Sequence, residues 1–465
     1  MKRRLLFLAV LALLPFSSSA SAQEKRPLDL EDFFRLERVQ SPTISPNGEW
    51  VVFGRSRTLK EENRGHSDLW ITPTDGSEPA RPLTAPSFSA SSPRWSPDGS
   101  LLAFASNRPV PGEGRESWWF LRMDGGPGEA FQIEGLDSAP LFSPDGAWVA
   151  TVRSTPPTSP DGRPPHPVQE KEYSEFEREI QERFDGRSFD WMNYRFDRRG
   201  YLPDPRNPHA TPPGELYLVP ANGGEPRQIT NQGLDVQGAS WSPDGRALVF
   251  TADEHERDER SYERADLWTV TVEGEVTRLT DDELNYGSPA WSPDGNHIVA
   301  RGNIGLDVVI RERWNHGAPS DLYLIPATGG APRNLTEGWD MIPGSPTWGP
   351  RGRNIYFTAG ISGTSHLFAL NVESGDVRQL TQGERMIGGV SFSSDFTRMT
   401  YTVADPTHPG DIFTARPDRS EEKRLVASNR DLLEELDLVQ PDNLHFRSPD
   451  AVSYTHLRAH ETTSH

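Results

Sequence analysis

Short apolar runs without polar alternation recur along the chain, and each follows a tight turn. The third and fifth residues past the turn are mostly apolar: Val51 and Phe53, Leu102 and Phe104, Leu248 and Phe250, Ile355 and Phe357. The residue between them is apolar or small (Val52, Ala103, Val249, Tyr356). A strand that lacks a polar face is covered on both sides. The pattern therefore predicts sheets sandwiched between neighbouring sheets.

The turn has its sharpest form at Ser96-Pro97-Asp98-Gly99 and recurs at Ser143 to Gly146, Ser242 to Gly245 and Ser292 to Gly295. Ser45-Pro46-Asn47-Gly48 is a close variant, and Gly349-Pro350-Arg351-Gly352 and Ser393-Ser394-Asp395-Phe396 are worn copies. Proline presets φ at the second position, Asp or Asn suits the third, and Gly takes the left-handed conformation that closes a hairpin. A large apolar residue precedes every copy: Ile44, Trp95, Phe142, Trp241, Trp291, Trp348 and Phe392.

The spacing is about 50 residues, with one gap of 99 between Ser143 and Ser242, as expected of a repeat interrupted by one insertion. A second signature opens the outer half of the repeats, as in Asp68-Leu69-Trp70-Ile71, Asp266-Leu267-Trp268-Thr269 and Asp321-Leu322-Tyr323-Leu324. A Leu-Thr or Ile-Thr pair then follows (Leu83-Thr84, Ile229-Thr230, Leu279-Thr280, Leu335-Thr336, Leu380-Thr381). Each unit reads as strand, turn, strand, loop, strand, Gly turn, strand. The predicted fold is all-β: a seven-bladed β-propeller of four-stranded blades over 41–427, with an insertion at 154–214. In such a meander the short turns share one face of the disc. The long segments 154–214, 253–265 and 302–320 share the other, where binding tends to live.

Within the insertion, Tyr173, Phe176, Ile180 and Phe184 fall on one face of a helix. The aromatic stretch Asp190 to Phe196 leads into Asp197-Arg198-Arg199-Gly200-Tyr201. One reading is a helical lid packed on the disc; the functional reading puts Tyr194 and Arg195 on a substrate path. The run from Asp253 to Arg260 has no metal-ligand spacing and is expected as a solvated tip. No metal or cofactor site is expected.

Net charge is −20 with pI about 5.1, which argues against a nucleic-acid-binding face. There is no Cys, so disulfides, zinc-thiolate sites and thiol catalysis are excluded. Lys2-Arg3-Arg4, the apolar run Leu5 to Phe16 and Ala20-Ser21-Ala22 read as a signal peptide over 1–22. The apolar run is shorter than the roughly 20 residues of a spanning helix. The mature chain is therefore expected to be exported, periplasmic or secreted, with no membrane attachment. A short lead-in helix is expected within 23–40, with Asp29 as N-cap and Leu30, Phe33, Phe34 and Leu36 as its apolar face. After the last repeat, Ser428 to Asp431 reads as a capping box for a helix through Leu436. Asn443 to Ser448 then alternates like an edge strand without a sheet.

These features together resemble the prolyl oligopeptidase family of serine peptidases, in the branch close to acylaminoacyl-peptidases and dipeptidyl-peptidase-like enzymes. The resemblance covers residue 28 to about 450. It rests on the lead-in Leu28 to Val39, the repeated turns, the segment Tyr194 to Tyr201 and the exit Asn429 to Leu436. In the family such an exit precedes an α/β-hydrolase domain, so 428–450 is expected as a linker helix and the first strand of that domain. The family's chemistry needs a Gly-x-Ser-x-Gly elbow followed by Asp and His. The nearest approach here, Gly360-Ile361-Ser362-Gly363-Thr364, lacks the final Gly, so no residue is assigned a catalytic role. From Ala451 the sequence leaves the family pattern, and 451–465 is expected to be a non-native, disordered tail. The resemblance implies a substrate-gating propeller of a peptidase acting on peptides, with the hydrolase domain absent from this chain. The alternative is a non-enzymatic periplasmic TolB-like propeller that binds proteins.

Overall fold

The computed structural model describes residues 25–154 and 204–458, apart from 110–116, 125–127, 209, 259–260, 263, 315–318 and 450–452. Within 155–203 it describes 174–176, 191–192, 195–197 and 200–202. Antiparallel meanders dominate. The first sheet comprises Arg38–Ile44, Trp50–Leu59, Arg64–Pro73 and Arg81–Pro82 in that order. The second has three strands, Ala90–Trp95, Leu101–Ser106 and Ser117–Arg122. The third runs Leu141–Phe142, Trp148–Ser154, Gly214–Pro220 and Arg227–Gln228. The fourth spans Gln237–Trp241 to Val276–Arg278, and the fifth Leu284–Trp291 to Arg333–Asn334. A final eight-stranded sheet consists of two meanders, from Thr347–Trp348 to Val377–Gln379 and from Met386–Phe392 to Lys423–Val426. A single parallel pair, Ser365 with Met386, joins them.

The second sheet departs from the expected four strands. In place of its outermost strand stands one bridge, with Phe120 N and Phe131 O 2.8 Å apart and the reciprocal bond at 3.0 Å. Phe120 also packs edge-on against Phe142 of the third sheet, so its ring faces the next sheet even without a full outer strand.

Unalternated strands are indeed covered on both faces. Val52 packs with Leu102 and Phe104 of the second sheet, while Val51 and Phe53 pack with Ile412 of the last meander. The same division repeats at every joint: Val249 faces the fifth sheet and Leu248 and Phe250 the third. The core is thus a cycle of inter-sheet layers, and the last layer joins the final meander back to the first.

The repeated turn explains its own composition. Ser292 Oγ donates to Asp294 Oδ1 at 2.5 Å and accepts from His297 N at 2.9 Å, while Asp294 accepts from Asn296 N at 3.1 Å. Gly295 N closes the turn on Ser292 O at 2.9 Å with φ +73°. The Ser45, Ser96, Ser143, Ser242 and Ser393 turns repeat this network. In the last copy Phe396 takes the left-handed position at φ 56°. Successive turns also touch: a Cβ on Gly99 would lie 3.4 Å from Pro46, and one on Gly295 3.5 Å from Pro243. Ser394 N bonds Pro46 O at 3.0 Å, which brings the last turn against the first. Tryptophans before the turns reach back one sheet; Trp241 Nε1 donates to Leu141 O at 2.9 Å and Trp348 Nε1 to Ala290 O at 3.0 Å.

All strands of the first sheet come from the chain's beginning and all strands of the last meander from its end. Among the described residues no strand is exchanged to close the cycle. A clasp outside the sheets joins the ends instead. Arg26 pairs in parallel with Leu436, its N–H donating to Glu435 O at 3.0 Å and its carbonyl accepting from Asp437 N at 2.7 Å. Arg26 grips the buried Asp32 with two bonds of 2.7 Å, and Arg35 bonds both oxygens of Glu435 at 2.9 Å. The guanidinium of Arg26 and the backbone N–H of Asp29 hold the Asp32 carboxyl well below its usual range.

The ends differ from the sequence reading in three respects. The lead-in helix is a single turn, α1 (Asp32–Arg35), with Leu30 and Phe33 exposed. Asp29 does accept from Glu31 N and Asp32 N, at 2.8 and 3.2 Å. The exit helix, α2 (Arg430–Glu435), has no side-chain cap. Its N-cap Asn429 is left-handed and spends its amide on Glu37 instead, accepting from Glu37 N and donating to Glu37 O at 2.8 Å each. Finally, the strand expected to lack a sheet, Asp442–Arg447, pairs antiparallel with Ser453–Arg458. Unpaired strand N–H and C=O groups take the nearest extended segment as partner.

Candidate functional site

The long connections leave the sheets at the end opposite the repeated turns. The insertion departs at Ser154 and returns at Gly214, two residues paired across adjacent strands, so a long excursion costs the third sheet nothing. Its described base is anchored by a residue expected on a solvated tip. Arg257 donates to Pro205 O at 3.0 Å, to Thr211 O at 2.7 Å and to Asp235 Oδ2 at 2.8 Å. Asp253 holds the same loop through His255 N and Arg264 N, at 2.8 and 2.9 Å. The mixed charge hid these roles, because sequence alone does not show which cation faces a carbonyl cluster.

Tyr194 lies outside the described residues. Arg195 is exposed on a two-stranded ribbon, Arg195–Phe196 with Gly200–Tyr201. Most of the helical periodicity from Tyr173 to Phe184 is also outside the described residues.

A polar cavity of about 330 Å³ opens on this side, between the fourth and fifth sheets, lined by Gln237, Thr251, Asn285, Arg301, Asn303 and Ser320 among others. Arg195 is not among the side chains that line it. The Nε of Arg301 is buried without a hydrogen-bond partner among the described residues. Beside it, Tyr286 donates to Asp282 at 2.8 Å, and burial followed by that bond pushes its phenol far above the usual range. Amides, hydroxyls and one guanidinium can hold a peptide backbone or a carboxylate. They include no activated nucleophile.

One constellation has the residue types of a catalytic triad. In the first sheet His66 Nε2 lies 2.8 Å from Asp68 Oδ1, and His66 Nδ1 lies 3.2 Å from Ser89 Oγ. His66 is 4 % exposed, leaving no room for an acyl group beside the ring. Ser89 Oγ also accepts from Ser67 N at 3.4 Å. The equivalent positions elsewhere are structural. Glu215, Asp266 and Asp321 each accept from the Thr of the Leu-Thr pair (Thr230, Thr280, Thr336) at 2.5, 2.8 and 2.6 Å. That threonine oxygen in turn accepts a strand N–H, as Thr280 does from Leu267 at 3.0 Å. Burial raises Glu215 and Asp266 above ordinary carboxyls. In the first sheet Thr84 keeps the acceptor role for Leu69 N at 3.0 Å, and Asp68 bonds His66 in place of the threonine. Among the described residues, no group of three or more His, Asp or Glu is placed to hold a metal ion, and no helix is long and apolar enough to cross a membrane.

The architecture is that of a β-propeller. The chain superposes on the β-propeller domain of the trilobed protease from Pyrococcus furiosus with TM-score 0.56 at 14% identity, covering 85% of this chain and 99% of that one. It superposes on Pyrococcus horikoshii acylaminoacyl peptidase with TM-score 0.62 at 16% identity, over 91% of this chain and 58% of that one. In sequence it is 28% identical over 448 residues to the uncharacterized peptidase YuxL of Bacillus subtilis, covering 92% of this chain and 63% of YuxL. No protein-family model matches. The chain is similar to the propeller part of prolyl oligopeptidase-type peptidases, and spans less than two thirds of the length of YuxL and of the acylaminoacyl peptidase.

Proposed function

We propose that the chain is the substrate-gating propeller of an exported serine peptidase that hydrolyses peptides. Its meanders make seven blades, the second reduced on its outer edge, and an α/β-hydrolase domain outside these residues supplies Ser, Asp and His. The observation that carries this reading is the likeness to YuxL over 92% of the chain, in a sequence that holds no Gly-x-Ser-x-Gly elbow. The terminal clasp supports it, because exposed Leu28, Leu30 and Phe33 cluster in the lead-in that binds the exit segment, a surface suited to a packed domain. In this reading 1–22 directs export, and Tyr194 and Arg195 face the path of an incoming peptide.

Two measurements test it. Residues 23–465 should not react with a serine-directed phosphonate; stoichiometric labelling would sink the assignment of hydrolysis to another domain. Sequencing source DNA across codon 451 should reveal a continuing frame with the elbow, Asp and His in order. A stop codon there would leave a free propeller whose role is binding.

A further inference from the structure

The cleft between the first and second sheets, at the end carrying the repeated turns, lacks the latch found beside the third and fifth sheets and the last meander; Arg378, opposite Ala369, is unlatched as well among the described residues. In the third sheet Arg227 opens the outermost strand opposite Leu218, and its guanidinium reaches the next sheet, donating to Val272 O at 2.6 Å. Arg333, opposite Leu324 in the fifth sheet, does the same to Val372 O at 2.6 Å. Lys423 in the last meander latches onto Asp75 O of the first. Arg227 also lies over the Trp148 ring, 5.7 Å from its centroid. Each latch closes the cleft between two sheets.

Arg81 holds the same register position, opposite Ile71. The residue matching Val272 and Val372 is Met123, whose N–H bonds the preceding turn as theirs do: Met123 to Ser100, Val272 to Arg246, Val372 to Arg353, at 2.8, 2.9 and 2.9 Å. Yet Arg81 is exposed and has no hydrogen-bond or ion-pair partner among the described residues. Its cleft stays open as a pocket of about 440 Å³, with Trp50, Ile71, Leu83, Trp95, Leu121 and Met123 as an apolar lining.

We propose that this cleft binds a monocarboxylate carried on a large apolar group, with Arg81 on the carboxylate and the apolar group between Trp50 and Trp95. The other charges at the rim sharpen the choice. Glu49 accepts from Asn47 at 2.9 Å, Asp98 accepts from Ser96 at 2.6 Å, and Arg122 lies over Phe131 at 5.2 Å. Arg122 is engaged face-on with Phe131, whereas Arg81 has neither a ring contact nor a hydrogen-bond partner among the described residues, and a guanidinium fork prefers a planar carboxylate. The acidic side chains Glu49, Asp98 and Asp124 at the same rim repel a dianion such as phosphate. An aromatic or branched body covers the tryptophans as Arg227 covers Trp148, and excludes water from the ion pair. Both an N-acylated amino acid and the C-terminal end of a short peptide carry this chemistry.

Calorimetry on the full chain tests it with N-acetyl-phenylalanine, its C-terminal amide, and acetyl-Ala-Ala-Phe. The acid should bind about tenfold more tightly than the amide, as a charge-assisted pair requires. Arg81→Gln should erase that difference, and Arg227→Gln, in a latched cleft, should leave it intact. A tripeptide at least tenfold tighter than N-acetyl-phenylalanine identifies a peptide end as the ligand; equal affinity identifies the compact acid. Acid and amide binding equally, a difference that survives Arg81→Gln, or no heat at about 1 mM ligand would overturn the proposal. Since Arg81 is exposed, the variant is expected to fold.

Discussion

Ser292→Ala isolates what the repeated turn contributes to the ring. The Ser292 hydroxyl is 3 % exposed, gives one hydrogen bond to the Asp294 carboxylate and takes one from His297 N. Losing a hydrogen bond to a charged group costs about 1.5–3 kcal/mol, and a buried N–H left without an acceptor about 1–3 kcal/mol. Because the turn lies at the surface, water repairs part of this, and about 3 kcal/mol is the expected total. Unfolding entropy near 2 cal/mol/K per residue converts that to a fall in Tm of about 4 °C for a ring of about 400 residues. The pH dependence carries the sharper signature. Hydrogen bonds from Ser292, from Asn296 N and from the Asn296 side chain lower the Asp294 carboxyl to about 2. A folded-state value below the unfolded one means that the stabilisation is complete above about pH 4 and is lost as pH falls toward about 2. The deficit of Ser292→Ala should therefore be constant from neutral pH to about pH 4 and shrink below it. Calorimetric scans of both proteins across that range measure it. A deficit under about 0.5 kcal/mol, typical of a neutral surface change, or one of equal size at both ends of the range, would refute the reasoning.

Other substitutions probe the remaining devices. Thr280→Val removes the donor to buried Asp266 and the acceptor for Leu267 N; it should cost about 2–4 kcal/mol in denaturant titration. Asn429→Ala loses both bonds to Glu37 and sets a Cβ-bearing residue without a local partner at φ +60°. It should destabilise the clasp by about 2 kcal/mol, seen as faster amide exchange in the lead-in. Arg257→Ala frees the base of the insertion, so limited proteolysis within 155–213 should accelerate several-fold while the sheets stay intact. Ser89→Ala should leave phosphonate reactivity unchanged, because the buried His66 ring leaves no room beside it for an acyl group; any labelling lost on that change would reinstate a triad.

Much of the fold is legible because each repeat states its local physics twice. The Ser-Pro-Asp-Gly turn names its own hydrogen-bonding partners, and the unalternated strands announce cover on both faces, as Val51, Val52 and Phe53 show. Leu-Thr pairs were visible as a signature, although their function as acceptors for strand N–H groups needed coordinates. What stayed hidden depends on residues far apart in sequence. Asn429 looked like part of a capping box, and only the approach of Glu37 makes its amide a strand substitute. Arg81 and Arg227 carry the same side chain at the same register, yet one is latched and the other free. Arg257 sits in a run of charges whose local pattern says solvent, while the insertion's carbonyls, 46 and 52 residues away, say otherwise.

Pairing Arg26 with Leu436 brings the two ends of the ring to within one strand spacing, about 5 Å. Because every meander is built from consecutive strands, the covalent starting point is interchangeable among the connections between sheets. A circular permutant that joins 436 to 26 through a few Gly and Ser residues and opens in a connection between two sheets would keep every sheet contiguous. A ring sealed by a strand borrowed from the other end would lose a sheet member under some of the same cuts. Here the order in which the chain visits the circle is a matter of genetic layout rather than of structure.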